Sequence, residues 1–400
     1  MRALLSNALR ISLLLAGGVL CLRAGQDTGP EWRVLDERMH HLGDDETPDW
    51  KEAPATPQAP PLEIRFPSAA NAEEWLLEVS ARDVDDDWAL ELNGSELARL
   101  KRIDAELAVG RYPVPAGALR AGENVLVVRA LRNPGDDLTV GRVRLAESSL
   151  REVERLGVLA VRVIERLEGG VIPARLTVTD AAGNPLALHY AARPHTAVRP
   201  GIAYTAEERT LLEVPAGECE VWASRGMEWS VASRRVTVVH GETIEVDLAL
   251  EREVDTTGWV AADTHIHTFT HSGHGDASVE ERLVTLAGEG VELAIATDHN
   301  HQTDYRPLQR ELALTPHFTS VVGNEVTSEN GHMNAFPLDP NQPVPPHEET
   351  DWRKLVAGIR ARGARVVILN HPRWPEEGKD PLTKFGFDER TGLNAAGQEF

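Results

Sequence analysis

Hydrophobic and polar positions divide this chain into two regimes. In "EEWLLEVSARDVDDDWALELNGSELARL", Trp75, Leu77, Val79 and Ala81 fall on alternate positions, as do Trp88, Leu90 and Leu92. A period of two predicts half-buried strands, and Asn93-Gly94 supplies a hairpin turn between two of them. "AGENVLVVRALRNPGDD" and "LTVGRVRLAE" continue the pattern, predicting a β-sandwich over 62–147. A second strand-rich stretch over 158–251 ends in the alternation Ile244, Val246, Leu248, Leu250. Beyond residue 256 the period changes. Ser278 and Glu281 form a capping box that opens a helix, with Val279, Leu283 and Leu286 on one face. Trp352, Leu355, Val356 and Ile359 repeat the helical spacing. Apolar strand-like runs alternate with these helices, which is the pattern of an α/β fold.

The ends of the α/β strands carry the chemistry. "GWVAADTHIHT" ends in His265 and His267, "VELAIATDHN" in Asp298 and His299, and "HFTSVVGNEV" in Glu325 ahead of a loop with His332. "ARVVILNHPRWP", read as a buried strand, ends in His371. Parallel α/β sheets place their sites at strand C-termini, so four distant segments can deliver ligands to one point. Any one of these motifs is weak, and their recurrence in order predicts a shared metal site. Ten of the fifteen histidines lie in this third, at 265, 267, 271, 274, 299, 301, 317, 332, 347 and 371. His301, His317 and His347 lack strand-end placement and are expected on the surface. His189, His195 and His240, in the second sandwich, are expected as surface or capped residues, and Cys219 as a core residue.

Composition narrows the class. The formal charge is -22, with 63 acids against 41 bases. That excludes a nucleic-acid binder, since phosphates are held by clustered Lys and Arg. Residues 1–24 have a basic start and a short apolar run too brief to span a bilayer, so a cleaved signal peptide and a secreted or periplasmic protein are expected, with no membrane span. Residues 25–61 read as a Pro-rich linker.

These motifs resemble the PHP family, the metal-dependent hydrolases named for polymerase and histidinol phosphatase. "DTHIHT", "SVEERLVTLAGEGVELAIATDHN" and "GNEV" match its first three motifs in order and spacing, and "GHMN" and "NHPR" resemble its carbaryl-hydrolase-like (CehA/McbA) branch. The likeness covers roughly 259–374. It implies that 256–400 is the N-terminal part of a distorted (β/α)7 barrel, because the family's late Asp-x-His motif is not found before Phe400. It also implies two or three divalent ions (Zn, Mn or Fe). His265 and His267 would hold one, Glu325 would bridge two, His299 and His332 would serve the neighbouring position, and His371 a further one. His274 falls where relatives carry another ligand, with Asp276 the runner-up and His271 third. Asp298 would orient a ligand in support of catalysis, and Arg373 would bind an anionic group of the substrate. The sandwich at 62–147 resembles jelly-roll modules beside sugar-active enzymes, which admits a carbohydrate partner. That at 158–251 resembles transthyretin-like modules of secreted hydrolases.

Metal-activated water acting on a phosphoester, or on a carboxylic or carbamate ester or amide, is the expected function, with a small-molecule or anionic ester as substrate. The rival is a secreted carbohydrate- or surface-binding protein whose metal domain is degenerate.

Overall fold

The computed structural model describes residues 31–43, 56–84, 87–100, 107–131, 137–189, 195–329, 331–372, 380–394 and 397. The expected signal peptide, residues 25–30 and 44–55 of the expected linker, and Arg373 lie outside them. The chain divides into two compact units, 1–149 and 150–400. Among the described residues no helix is long and apolar enough to cross a membrane.

The first unit contains β1 (Trp32–Leu42), β2 (Leu62–Ser68), β3 (Trp75–Arg82), β4 (Trp88–Leu92), β5 (Ser95–Arg99), β6 (Ala108–Val114), β7 (Gly122–Ala130) and β8 (Leu138–Ala146). They pair antiparallel in two sheets ordered β1-β8-β3-β6 and β2-β7-β4-β5. Eight strands in two such sheets make a β-sandwich with the strand order of a jelly roll. The alternating Trp75, Leu77, Val79, Trp88 and Leu90 meet in one core between the sheets. Asn93 and Gly94 both take positive φ, 54° and 85°, as the hairpin turn requires.

One expectation fails here. Residues 32–42, assigned to the linker, are strand β1, which pairs with β8. The first half of β1 is mostly exposed and only its end is buried. A strand covered along so little of its length shows almost no alternation.

The second unit opens with α1 (Leu150–Val153), β9 (Leu156–Glu165), β10 (Ala174–Asp180), β11 (Thr196–Arg199), β12 (Ile202–Thr205), β13 (Thr210–Pro215), β14 (Gly217–Ser224), β15 (Ala232–Val238) and β16 (Thr243–Leu250). Sheets β11-β12-β10-β14-β15 and β13-β9-β16 share one core, in which Val246, Leu248, Leu250 and Cys219 are buried. This sandwich is not a detached module. Helix α3 (Val279–Gly288), which follows β17 (Ala262–Ile266) and the one-turn α2 (Phe269–Ser272), packs against β10, β11 and β12. Tyr204 of β12 joins the core of the α/β segment and donates to Glu289 Oε1 at 2.6 Å. The approach is close enough to need Gly288: a Cβ there would lie 2.9 Å from Tyr204 Cδ1 and 3.1 Å from the Ala174 carbonyl oxygen.

The remaining elements are β18 (Leu293–Ala296), α4 (Arg306–Glu311), β19 (Thr319–Val322), β20 (Asn324–Ser328), β21 (Gly331–Phe336), α5 (Trp352–Ala361), β22 (Val366–Leu369), α6 (Pro381–Phe385), β23 (Phe387–Asp388) and β24 (Leu393–Asn394). Strands β17, β18 and β19 are parallel. The next three are not: β20-β21-β22 is antiparallel. A bridge between His299 and Glu325 joins the two sheets. Among the described residues the strands do not close into the expected barrel.

Strand β22 departs from the buried strand expected of "VVIL". It lies at a sheet edge, with Val366 and Ile368 39% and 37% exposed. A continuous apolar run cannot report which of its faces is covered.

Candidate metal centre

Local rules explain how the donors reach one place. His265 in β17 and His267, one residue past its end, are two residues apart and so project to the same side. The loop after β18 carries Asp298 and His299. Gly323 then lets the chain turn tightly from β19 into β20, because a Cβ there would meet the Ala296 carbonyl oxygen at 2.9 Å. In the hairpin, β21 runs back against β20, so its N-terminal end lies beside the C-terminal end of β20. Thr327 pairs with His332, and Met333 with Leu369. His332 therefore arrives from the start of a strand, not from the loop expected to carry it. His371 follows β22 with φ 49°, a left-handed backbone uncommon for a residue other than glycine or asparagine.

Glu325 is the hub. It is 0% exposed, and five imidazoles point nitrogens at it. His265 Nε2 lies 3.3 Å, His332 Nδ1 3.2 Å and His371 Nε2 3.4 Å from Oε1. His267 Nε2 and His299 Nδ1 lie 3.1 and 3.0 Å from Oε2. Asn370 donates to Oε1 at 2.8 Å and to Asn334 Oδ1 at 2.7 Å. Oε2 is buried with no aligned hydrogen-bond donor, although two ring nitrogens are near. Burial alone would raise this carboxyl's pKa, but the imidazoles of His265, His267, His299 and His332 outweigh it and hold the group well below the usual carboxylate range.

Other ring nitrogens face each other. His265 Nε2 is 3.0 Å from His267 Nε2, and His299 Nε2 is 2.8 Å from His274 Nε2. Three overlapping sets have donor atoms within 4.8 Å of one another: His267/His274/His299, His265/Glu325/His371 and His299/Glu325/His332. A buried carboxylate oxygen without an aligned donor, amid converging imidazoles, fits divalent cations. His299 and Glu325 each belong to two sets, as ligands shared between ions would. His265 and His267, assigned to one ion by the family pattern, fall in different sets. The pKa of His274 is lowered by burial and by His267 and His299, and that of His371 by burial, partly opposed by Glu325. Both shifts keep the rings neutral, the form that ligates metal.

Support comes from residues that sequence reasoning did not single out. Ser272 Oγ donates to Asp298 Oδ1 at 2.8 Å, so it accepts from His267 Nδ1–H at 3.1 Å and from the His299 backbone N–H at 3.3 Å. This fixes the His267 tautomer and leaves its Nε2 lone pair facing Glu325. Asp298 also accepts from the Thr268 N–H and hydroxyl and from Thr303. Fully buried and so engaged, it does not face the ligand cluster and acts on His267 through Ser272. Thr327 Oγ1 lies 2.6 Å from His299 Nδ1, and Asn334 donates to the Thr264 carbonyl at 2.7 Å. A serine between His271 and Gly273 carries no signal of this role in the sequence.

The competitors of His274 are engaged elsewhere. Asp276 pairs with Arg199 at 2.9 Å. His271 stacks on His301, with centroids 4.0 Å apart and planes 10° from parallel. His317 is half-buried and not a surface residue, and burial and nearby Arg225 push its pKa down to about 4. Away from the centre, His189 pairs with Glu154 at 2.7 Å and His240 with Glu152 at 3.2 Å.

No protein-family model and no curated protein matches this sequence. Among solved structures, the pilus 2b backbone protein of group B streptococcus aligns at 9% identity over 56% of this chain and 98% of its own, with a TM-score of 0.20. A β-glucuronidase from Ruminococcus gnavus aligns at 12% identity over 74% of this chain and 60% of its own, and the shaft pilin SpaA from Lactobacillus rhamnosus GG at 8% over 46% and 86%, each with a TM-score of 0.20. Likeness this slight carries no argument about fold or activity.

Proposed function

We propose that the α/β segment is a metal-dependent hydrolase centre of the PHP kind, in an exported protein. The observation that carries this reading is Glu325, a fully buried carboxylate ringed by five imidazoles, with one oxygen lacking an aligned donor. His265, His267, His274, His299, Glu325, His332 and His371 would hold two or three divalent ions. Such ions supply Lewis acidity and lower the pKa of water, so no serine or cysteine nucleophile is required. Asp298, through Ser272, keeps His267 oriented. His274 and His371 are the exposed members of the cluster and mark the side from which a substrate would enter. Arg373, two residues after His371, would bind an anionic substrate group.

Metal analysis of the purified protein, with hydrolysis of phosphomonoester, phosphodiester and aryl carbamate substrates, tests this. The expected result is at least one ion per chain and hydrolysis of one substrate class that His265→Ala abolishes. Less than one ion per chain, or equal rates in parent and variant, sinks it. The sixteen strands of the two sandwiches motivate a second reading, a carbohydrate- or surface-binding protein with a degenerate metal segment. Glycan binding by a metal-free chain would favour it.

A further inference from the structure

The loop that presents His274 is poorly held by its own residues. His274 stands between Gly273 and Gly275, at φ 73° and 83°, and a Cβ on either glycine would meet nothing within 4 Å. A cavity of about 330 Å³ lies beside this region, lined in part by Ala197, Tyr204, Asp276 and Arg282. Packing therefore does little to fix the loop, and an unfixed ligand must be ordered at the expense of binding.

One side chain reaches across. Arg199, the last residue of β11 in the sandwich, donates through Nε to Asp276 Oδ2 at 2.9 Å and through Nη2 to the Asp276 carbonyl. Its Nη1 and Nη2 also donate to Glu281 Oε1 and Oε2 at 3.1 and 3.2 Å, and Nη1 to the Val198 carbonyl at 2.7 Å. Glu281 closes the capping box of α3 with Ser278. The planar guanidinium thus ties the residue two beyond His274 to the first turn of α3 in a geometry that an ammonium cannot copy.

We propose that Arg199 is a positioning residue for the metal centre: from the sandwich, it pre-orders the loop that brings His274 to His267 and His299. This rests on the metal reading above. It gives the second sandwich a part in ion binding although it contributes no ligand.

Zinc titration of the full metal-free chain, followed by calorimetry and by stoichiometry, tests the proposal. In Arg199→Gln the ion held by His267, His274 and His299 should bind about ten- to hundredfold more weakly, the usual effect of losing a ligand's support. The sites centred on Glu325 should keep their affinity, and the profile should match that of His274→Ala. Arg199→Lys should recover part of the loss. The melting temperature of the chelated protein should hold, which separates positioning from a purely structural role. A parent-like titration of Arg199→Gln, or an equal loss at every site together with a lower metal-free melting temperature, overturns the proposal. Should that variant fail to fold, Asp276→Lys sets a like charge against the Arg199 guanidinium at a side chain 71% exposed, and an unchanged titration there also overturns the proposal. A parent that takes up no zinc overturns the metal reading itself, whereas a zinc-binding parent with indifferent variants overturns only the role of Arg199.

Discussion

His267 and Asp298 do not touch, yet one sets the orientation of the other. Ser272 stands between them, accepting from His267 Nδ1 at 3.1 Å and donating to Asp298 at 2.8 Å. Removing the hydroxyl would leave His267 free to choose its tautomer and would leave Asp298 one donor short. Ser272→Ala is expected to weaken metal affinity by about tenfold, and Asp298→Asn by at least as much, because the amide can present a donor where Ser272 needs an acceptor. Metal competition with a chromophoric chelator measures both, and parent-like affinity in Ser272→Ala would refute the relay.

Glu325 predicts a stability loss that grows when metal is present. The imidazoles that hold its carboxyl below the usual range favour the folded state at neutral pH, and bound cations add to that. Glu325→Gln should melt below the parent in chelator and further below it in saturating metal. An ion at a hundred times its dissociation constant stabilises the parent by about 2.7 kcal/mol, which the variant forfeits. Thermal melts in EDTA and in zinc check this, and a deficit of equal size in both would point to a purely structural carboxylate.

Gly288 decides between two opposed effects. Alanine within a helix ordinarily stabilises by about 1 kcal/mol over glycine. Here its Cβ would meet Tyr204 Cδ1 at 2.9 Å, and that ring is tethered through its hydroxyl to Glu289. Overpacking should win, so that Gly288→Ala destabilises the second unit by about 1–3 kcal/mol. Urea unfolding followed by tryptophan fluorescence reads the sign directly.

His317 carries a pH dependence. Its folded pKa, about 4, lies below the ordinary 6.5, because burial and Arg225 disfavour the imidazolium. The folded state then binds fewer protons than the unfolded chain between those values. Stability contributed by the neutral ring is fully present above pH 6.5 and is lost as the pH falls towards 4. With its remaining exposure, the loss is about 1 kcal/mol. His317→Gln should flatten the melting temperature over that window in metal-free protein, and an unaltered slope would assign the dependence elsewhere.

The site was more legible in the sequence than the frame that holds it. Side-chain alternation pointed His265 and His267 to one side, and the strand-end recurrence brought Asp298, His299, Glu325 and His371 into one neighbourhood. Direction of travel was not legible. "GNEVTSENGHMN" gives apolar strands with polar ends whether the second strand runs parallel or folds back, and the structure folds it back. β1 was missed because charged and polar side chains dominate its exposed half. Ser272 and Arg199 were missed for a shared reason: each acts through its partners, which lie far away in sequence and carry the recognisable chemistry.

The β20–β21 hairpin has a consequence for the order of assembly. Glu325 and His332 are seven residues apart and meet across a tight turn, a contact that a chain can make within microseconds. His265 and His371 are roughly a hundred residues apart, and their meeting waits for a much larger loop to close. A folding chain would join these two ligands before its distant ones close around them. Metal present during folding could then act as a template, gathered first by the hairpin and enclosed afterwards.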